Sequence, residues 1–382
     1  MTKIYLIRHA EAEGNIYRRI HGQYDSLVTE NGKKQIAALA KRFENVPIAA
    51  CYSSDLTRTK LTAQAICVPH HLTLQTDPRF REVDMGVWEE HTFGEIAHAE
   101  PEKLNRFNND PEHWRVEGCE SFAVYTGRFL EAMAEKARAH DGETIAIVAH
   151  GAVIRGVLQR LFFYDNKEQA GHCDNTGVAL LDYENGSYTL EYYNDNSHLT
   201  PDISTLARQH WWRKETGQSY DTNLRFEPLT DEQFYLDARR DAWQLVYGDL
   251  DGYKPDGFWR DARYAAKREP QALVQAILAG ESVGLIQLDP ERRADEGVGY
   301  IPFLYIVPAW RGKELGAQLI GHAVGFYRPL GRTKLQLSVA RQNAAALHFY
   351  DKHGFRPVGK TPGAHGDLLL MEKNIDVNQY GV

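Results

Sequence analysis

Lys3–Asn15 reads KIYLIRHAEAEGN. The apolar run from Ile4 to Ile7, with its β-branched and aromatic residues, predicts a short strand buried on both faces. It stops abruptly at Arg8-His9-Ala10-Glu11. Doubly buried strands belong to α/β sheets, which bind ligands beyond the strands' C-terminal edge. Arg8 offers a planar fork for a phosphate, and His9 offers a nitrogen that can attack phosphorus. The same pair would also serve as a solvated strand end, and these residues alone leave both readings open.

At 382 residues the chain exceeds one ordinary core and predicts two domains. A hydrophobic fraction of 43% and a charged fraction of 25% are those of a globular protein in water. The formal net charge of −8 argues against a nucleic-acid partner. Cys51, Cys67, Cys119 and Cys173 form no CxxC pair, so they read as reduced structural thiols of a cytoplasmic protein, without a zinc site. No signal-peptide pattern opens the sequence, and no apolar stretch approaches the roughly 20 residues of a membrane span.

Beyond the loop His21-Gly22-Gln23-Tyr24-Asp25, Thr29 caps a helix that carries Ile36, Leu39, Ala40 and Phe43 at helical spacing. Ile48–Tyr52 reads as the next strand, and Ser53-Ser54-Asp55 offers caps for a helix with Arg58 in its first turn. A helix N-terminus favours anions, and an Arg there adds a charged fork; an exposed Arg58 paired with Asp55 is the plainer reading. Glu82 lies between Phe80 and Val83, with Gly86 and Trp88 after it. Burial in apolar company raises a carboxyl pKa and suits it to donate a proton, whereas a surface Glu82 would pair with Arg79 or Arg81. Residues 93–117 are polar, with Phe107 and Trp114 among them, and a long amphipathic helix follows Gly118-Cys119-Glu120-Ser121. Thr144–Ala149 is a second apolar strand, and it ends in His150-Gly151. A parallel sheet would bring His9 and His150 to one edge. Asn185-Gly186 marks a two-residue hairpin.

Taken together, Arg8-His9-Ala10-Glu11 with Asn15, Arg58 with Thr62-Ala63, Glu82 with Gly86-x-Trp88-Glu89, and His150-Gly151 resemble the histidine phosphatase (phosphoglycerate mutase-like) superfamily over residues 1–195. Cys119 stands where that family often has glycine. The resemblance implies a three-layer αβα domain at 1–198 and a covalent phosphohistidine on His9. It also implies that Arg8, Asn15, Gly22, Gln23, Arg58, His150 and Gly151 bind the phosphate of a small metabolite. Glu82 is implied as general acid, and no metal. Hydrolysis is favoured over a phosphoglycerate-type mutase, whose middle insertion is longer.

Periodicity fades over the expected linker, 199–223, where Trp211-Trp212 suggests packing between domains. Leu224–Leu229 then starts a new strand, and Thr230-Asp231 caps a helix. Ala272–Leu278 and Val283–Leu288 form a hairpin through Ala279-Gly280. The strand Gly299–Val307 leads through Pro308-Ala309-Trp310 into Arg311-Gly312-Lys313-Glu314-Leu315-Gly316-Ala317 and a helix. Strand, glycine-bearing turn and helix N-terminus make a phosphate cradle.

With Asn343-Ala344-Ala345-Ala346-Leu347-His348-Phe349-Tyr350 further on, residues 224–375 resemble the GNAT N-acetyltransferase superfamily. Glu314 stands where that family usually has glycine. The resemblance implies a mixed, mostly antiparallel sheet over 224–382 and acetyl-CoA held by Ile306, Val307, residues Arg311, Gly312, Lys313, Glu314, Leu315, Gly316 and Ala317, and Asn343. Tyr350 would protonate the departing thiolate or else fill the core; an amine is the acceptor. No base is readily named; Glu296 precedes the cofactor strand, and its position is all that points to it. A non-catalytic acyl-CoA sensor is the alternative for this half.

Overall fold

The computed structural model describes residues 1–163, 170–209 and 222–379. The first half contains β1 (Thr2–Arg8), α1 (Glu13–Tyr17), α2 (Glu30–Phe43), β2 (Ala50–Ser53), α3 (Thr57–Cys67) and β3 (Gln75–Thr76). It continues through α4 (Phe93–Ala99), α5 (Pro101–Asn109), α6 (Phe122–Ala139), β4 (Thr144–Ala149), α7 (Gly151–Leu158), β5 (Val178–Glu184), β6 (Ser187–Asp195) and α8 (Thr205–Arg208). The strands form one six-stranded sheet in the order β3-β2-β4-β1-β5-β6. β1, β2, β3 and β4 pair in parallel, and β5 and β6 run antiparallel.

Alternation along β1 divides the core. Ile4 and Leu6 pack with Phe129 and Met133 of α6 and Val153 and Val157 of α7. Ile7 packs with Leu39 and Phe43 of α2 and Ala63 and Ile66 of α3 on the other face. The result is the expected αβα sandwich, and the parallel register pairs Arg8 with Ala149, one residue short of each histidine. Thr29 and Ser121 cap α2 and α6 through their side chains. The cap of α3 is corrected: neither Ser54 nor Asp55 provides it, because Asp25 accepts from Thr57 N and Thr57 Oγ1, while Asp55 is bound by Arg81.

The second half contains β7 (Arg225–Pro228), α9 (Glu232–Tyr247), α10 (Pro255–Arg268), β8 (Leu273–Leu278), β9 (Glu281–Asp289), β10 (Val298–Ile306), α11 (Gly316–Tyr327), β11 (Lys334–Val339), α12 (Ala344–Lys352), β12 (Arg356–Thr361) and β13 (Leu368–Asn374). Its seven-stranded sheet has the order β12-β13-β11-β10-β9-β8-β7. Only β10 and β11 are parallel, and they pair over just Val298–Tyr300 with Lys334–Gln336. Beyond a register shift between Tyr300 and Phe303, β10 keeps its β9 partner and leaves β11.

The halves are not separate beads. Ile16 and Tyr17 of α1 belong to the second half's core, beside Leu319, Ile320 and Val324 of α11. Tyr17 lies so close to α11 that a Cβ at Gly321 would stand 2.5 Å from it. Glu13 accepts from Arg328 at 2.6 Å, with side-chain exposures of 2% and 9%. The expected linker also has structure within its described part. Ser204 donates to Asp174, and Gln35 donates to Ile203 O and Thr205 Oγ1, so the chain through α8 is tied to the first half. Trp211 and Trp212 lie outside the described residues.

Candidate active site

His9 follows directly from β1 and is 6% exposed. Its Nδ1 lies 2.7 Å from Ala10 O. A carbonyl only accepts, so Nδ1 carries the proton and Nε2 keeps its lone pair. Burial, then the charges of Arg58 and Arg8, hold the imidazole well below its ordinary pKa, which keeps it neutral. The His150 ring stands 5.2 Å away, centroid to centroid. His150 is fully buried and held low by burial and Arg58. Its Nδ1 accepts from Arg58 Nε at 3.2 Å, and its Nε2 lies 2.8 Å from Ser54 Oγ.

Arg58 is the most constrained cation. Nη1 donates to Tyr24 O at 2.9 Å, and Nη2 donates to Gly22 O at 2.7 Å and His21 O at 3.3 Å. It therefore moulds the 21–24 loop as well as facing the histidines; the exposed Arg58–Asp55 pair is not formed. Arg8 differs: Nη1 donates to Cys173 O, while its buried Nε has no partner. A Cβ at Gly151 would stand 3.0 Å from that Nε, so a glycine there leaves the guanidinium its room. Asn15 Oδ1 accepts from Ala12 N and Asn175 Nδ2, which leaves its Nδ2 as the group able to donate to a ligand.

Glu82 corrects the expectation of an apolar setting. Its Oε2 accepts from Ala152 N at 2.9 Å, and its Oε1 accepts from Val153 N at 2.7 Å and Val83 N at 3.0 Å. The carboxylate is thus clamped on the N-terminus of α7, directly after His150. Neither partner of the surface reading holds it, since Arg79 is bound by Asp77 and Arg81 by Asp55. Gly22 N and Gln23 N are also occupied: both donate to Glu89, as do Tyr24 N and Met85 N. Two contributors were not read from the sequence. Glu89 closes the loop, and Asn175 donates to His9 O and Asn15 while its buried Oδ1 has no partner. A lone Asn in the polar run Cys173-Asp174-Asn175-Thr176 gave no signal.

In the second half, Ile306 ends β10 and Val307 N donates to Val283 O. Arg311 donates to Ile306 O and to Asp241, which draws the turn against β10 and α9. Lys313 lies over the Trp310 ring. Glu314 sits at φ +59°, the left-handed region that favours glycine, and is bound by Lys352 at 2.7 Å. Burial pushes its carboxyl up, but Lys352 and Arg208 outweigh it and hold it below the ordinary range. Leu315 and Ala317 are buried at the start of α11, and no side chain caps that helix. Among the described residues, no backbone oxygen accepts from the amides of Gly312–Leu315.

These groups fit acetyl-CoA: the amides without a backbone acceptor can donate to an anion, and the β10 edge that leaves β11 can pair with an extended amide chain. Asn343 caps α12 through Oδ1 to Ala346 N, with Nδ2 left to donate. Tyr350 packs against Phe349 and Phe355, and burial pushes its phenol well up. Glu296 lies just before β10 and pairs with Arg293. Among the described residues, no group of three or more His, Cys, Asp or Glu is placed to hold a metal, and no helix is long and apolar enough to cross a membrane.

Comparison with known proteins divides the chain in the same place. Residues 4–196 match the family model "Histidine phosphatase superfamily (branch 1)", and residues 233–355 match "Acetyltransferase (GNAT) family". The first half is 30% identical over 200 residues to "Phosphoserine phosphatase 1" of Hydrogenobacter thermophilus, across 52% of this chain and 95% of that protein. It is 32% identical over 215 residues to the "Probable phosphoglycerate mutase GpmB" of Yersinia pestis, across 54% of this chain and 100% of that protein. The solved structure of Bacillus stearothermophilus YhfR matches with a TM-score of 0.50 and 31% identity, across 52% of this chain and 99% of that chain.

Proposed function

Because this chain belongs to the histidine phosphatase superfamily and carries a GNAT acetyltransferase domain behind it, we propose that it is bifunctional, with 1–198 and 224–382 as its working units. The first unit hydrolyses a small phosphomonoester. The second acetylates an amine.

The observation that carries the phosphatase reading is the buried, neutral His9, with Nδ1 fixed by Ala10 O and the unpartnered Nε of Arg8 beside it. His9 Nε2 forms a bond to phosphorus as the ester P–O bond breaks, and Glu82, protonated once the phosphate's negative charge stands beside it, gives the leaving oxygen its proton. Water then attacks phosphorus, the N–P bond breaks and Glu82 takes the proton from that water. Arg8, Arg58, His150 and Asn15 face the charge that moves onto the non-bridging oxygens; such a donor typically accounts for about 3–4 kcal/mol of the barrier. The phosphoserine phosphatase likeness supports hydrolysis of a phosphorylated amino acid or similar small molecule.

In the second unit, Ile306 and Val307 line the cofactor strand, and the amides of Gly312–Gly316 cradle phosphate at the start of α11. Asn343 adds a donor, and buried Tyr350 keeps its proton to give to the thiolate. Acetyl-CoA supplies the acyl group when bound.

The test is phosphate release from a panel of phosphorylated metabolites, with His9→Ala as blank, alongside thiol release from acetyl-CoA with an amine panel. Phosphate release lost in His9→Ala supports the phosphatase. Phosphoryl migration without release would replace it by the mutase. Acetyl-CoA binding without turnover by any amine would replace the acetyltransferase by the sensor.

A further inference from the structure

Tyr235, Arg239 and Trp243 recur every four residues along α9 and so share one face. That face meets Phe258 and Trp259 of α10 and Gln287 and Phe303 of the sheet. Arg239 lies at the centre. Its guanidinium carbon is 3.9 Å from the Phe303 ring centroid and 4.7 Å from that of Phe258. Nε donates to Tyr235 Oη at 3.0 Å, and Nη2 donates to Gln287 Oε1 at 2.7 Å.

Among the described residues, no carboxylate lies within ion-pair distance of this guanidinium. A guanidinium stays protonated, and taking it out of water is costly without a carboxylate or phosphate opposite. Aromatic faces return only part of that cost. Asp241 is held by Tyr305 and Arg311 and Asp237 by Gln233, while Asp261, the carboxylate whose charge reaches Arg239, makes no ion pair with it and sits exposed beside Arg260. Trp243 Nε1 and Trp259 Nε1, in the same shell, are buried donors with no acceptor. The guanidinium and two buried indole N–H groups thus belong to one shell in which acceptors are short.

The shell also adjoins the acetyl-CoA turn. Asp241, two residues beyond Arg239, holds Arg311 at the start of that turn. Phe303, paired with Gln287, lies three residues before the end of β10, or roughly 10 Å along the strand.

We propose that Arg239 binds an anionic group of the acyl acceptor, so that the acceptor is a small amine that also carries a carboxylate or a phosphoryl group. This rests on the acetyltransferase reading of the second unit. The aromatic faces and the two indole N–H groups shape the pocket around that anion, and its free amine is turned toward the β10 end.

The experiment pairs each acidic amine with a neutral counterpart: L-amino acids against their amides, and 2-aminoethylphosphonate against ethanolamine. Thiol release from acetyl-CoA is followed in the full chain and in Arg239→Gln. The acidic member of a pair is expected to lead by at least tenfold in kcat/KM, and Arg239→Gln to remove that lead through KM while the neutral amine is unaffected. Arg239→Lys is expected to return part of it. The arm that responds tells carboxylate from phosphoryl. Equal use of the neutral amines, or a lead that survives Arg239→Gln, overturns the proposal. Phosphatase activity of the variant checks that it has folded. If no amine is acetylated, the acetyltransferase reading fails by itself, and calorimetric titration with N-acetyl-L-amino acids in the presence of CoA decides the anion site. Binding weakened tenfold or more by Arg239→Gln supports it; unchanged or absent binding overturns it.

Discussion

Around His9 the main chain holds the charged side chains that the phosphatase proposal turns toward phosphate. Arg58 is bound by three carbonyl oxygens, Glu82 by three amides and Glu89 by four. Around Gly312–Gly316 the arrangement is reversed. There the proposed cofactor contacts are main-chain amides, and side chains brace the turn through Arg311–Asp241 and Glu314–Lys352. The first arrangement suits chemistry that needs fixed charges at a transition state. The second suits a site that recognises a polyanion by its outline. Substitutions should therefore act differently in the two places: large and specific at the first, small and distributed at the second.

The sharpest break in the comparison is His9→Ala. Phosphoester hydrolysis should fall on the order of 10⁴-fold or more, while acetyl-CoA turnover is unchanged. Hydrolysis close to that of the wild type would remove His9 as nucleophile.

Next in size is the contact that joins the halves. Arg328→Met leaves Glu13 buried without its cation, which should cost about 3–5 kcal/mol in thermal or denaturant unfolding. Glu13 also accepts from Leu27 N, and Tyr24 meets Arg328, so KM for the phosphoester should rise as well. A double replacement, Glu13→Leu with Arg328→Met, should recover most of the stability, because the unpaired charge is gone. A single variant as stable as the wild type would show that the halves are merely tethered.

Acid separates the regions by a smaller amount. His9, His150 and His322 are buried, and all three are held below the ordinary histidine value, His322 at about 3, by burial first in each case. Below about pH 6.5 the unfolded chain binds protons that the folded chain refuses, so stability rises with pH there and is lost as pH falls. Each histidine contributes up to about 1.4 kcal/mol per pH unit. His172, His198 and His353 are lowered as well, so four of the six such histidines lie in the first half, and phosphatase activity should fail first on acidification. Unfolding free energy that is flat between pH 6.5 and 5 would contradict neutral buried imidazoles.

These effects trace which features the sequence displays. The strand ends bearing His9 and His150 are legible because short β-branched runs stop at polar residues, and parallel pairing then aligns them. Thr29, Ser121 and Asp231 are legible as caps because each acts within its own turn. Asp25 capping α3 from across a loop is not, and neither is Glu82 clamped on a helix 70 residues later. α1 has five residues, too few for a period, and nothing in Ile16-Tyr17 says that the other half's core receives them. Long-range polar contacts leave no spacing in a sequence. The 210–221 stretch with Trp211-Trp212 lies outside the described residues.

The smallest effect tests the second arrangement directly. Glu314 holds φ +59°, where a β-carbon costs about 1 kcal/mol and glycine costs nothing in the folded state. Glu314→Gly removes that strain but adds freedom to the unfolded chain, worth roughly 0.4–1 kcal/mol. It also gives up the exposed Lys352 pair, worth roughly 0.2–1 kcal/mol. These terms nearly cancel, so Tm should hardly move. The ligand side does not cancel, because a carboxylate is removed beside the amides proposed to hold the cofactor's phosphates. Acetyl-CoA should bind several-fold more tightly to the glycine variant, and the gain should shrink as salt rises. A loss of stability of about 2 kcal/mol or more would mean that Glu314 orders the turn as Arg58 orders the 21–24 loop, and the contrast between the halves would fall with it.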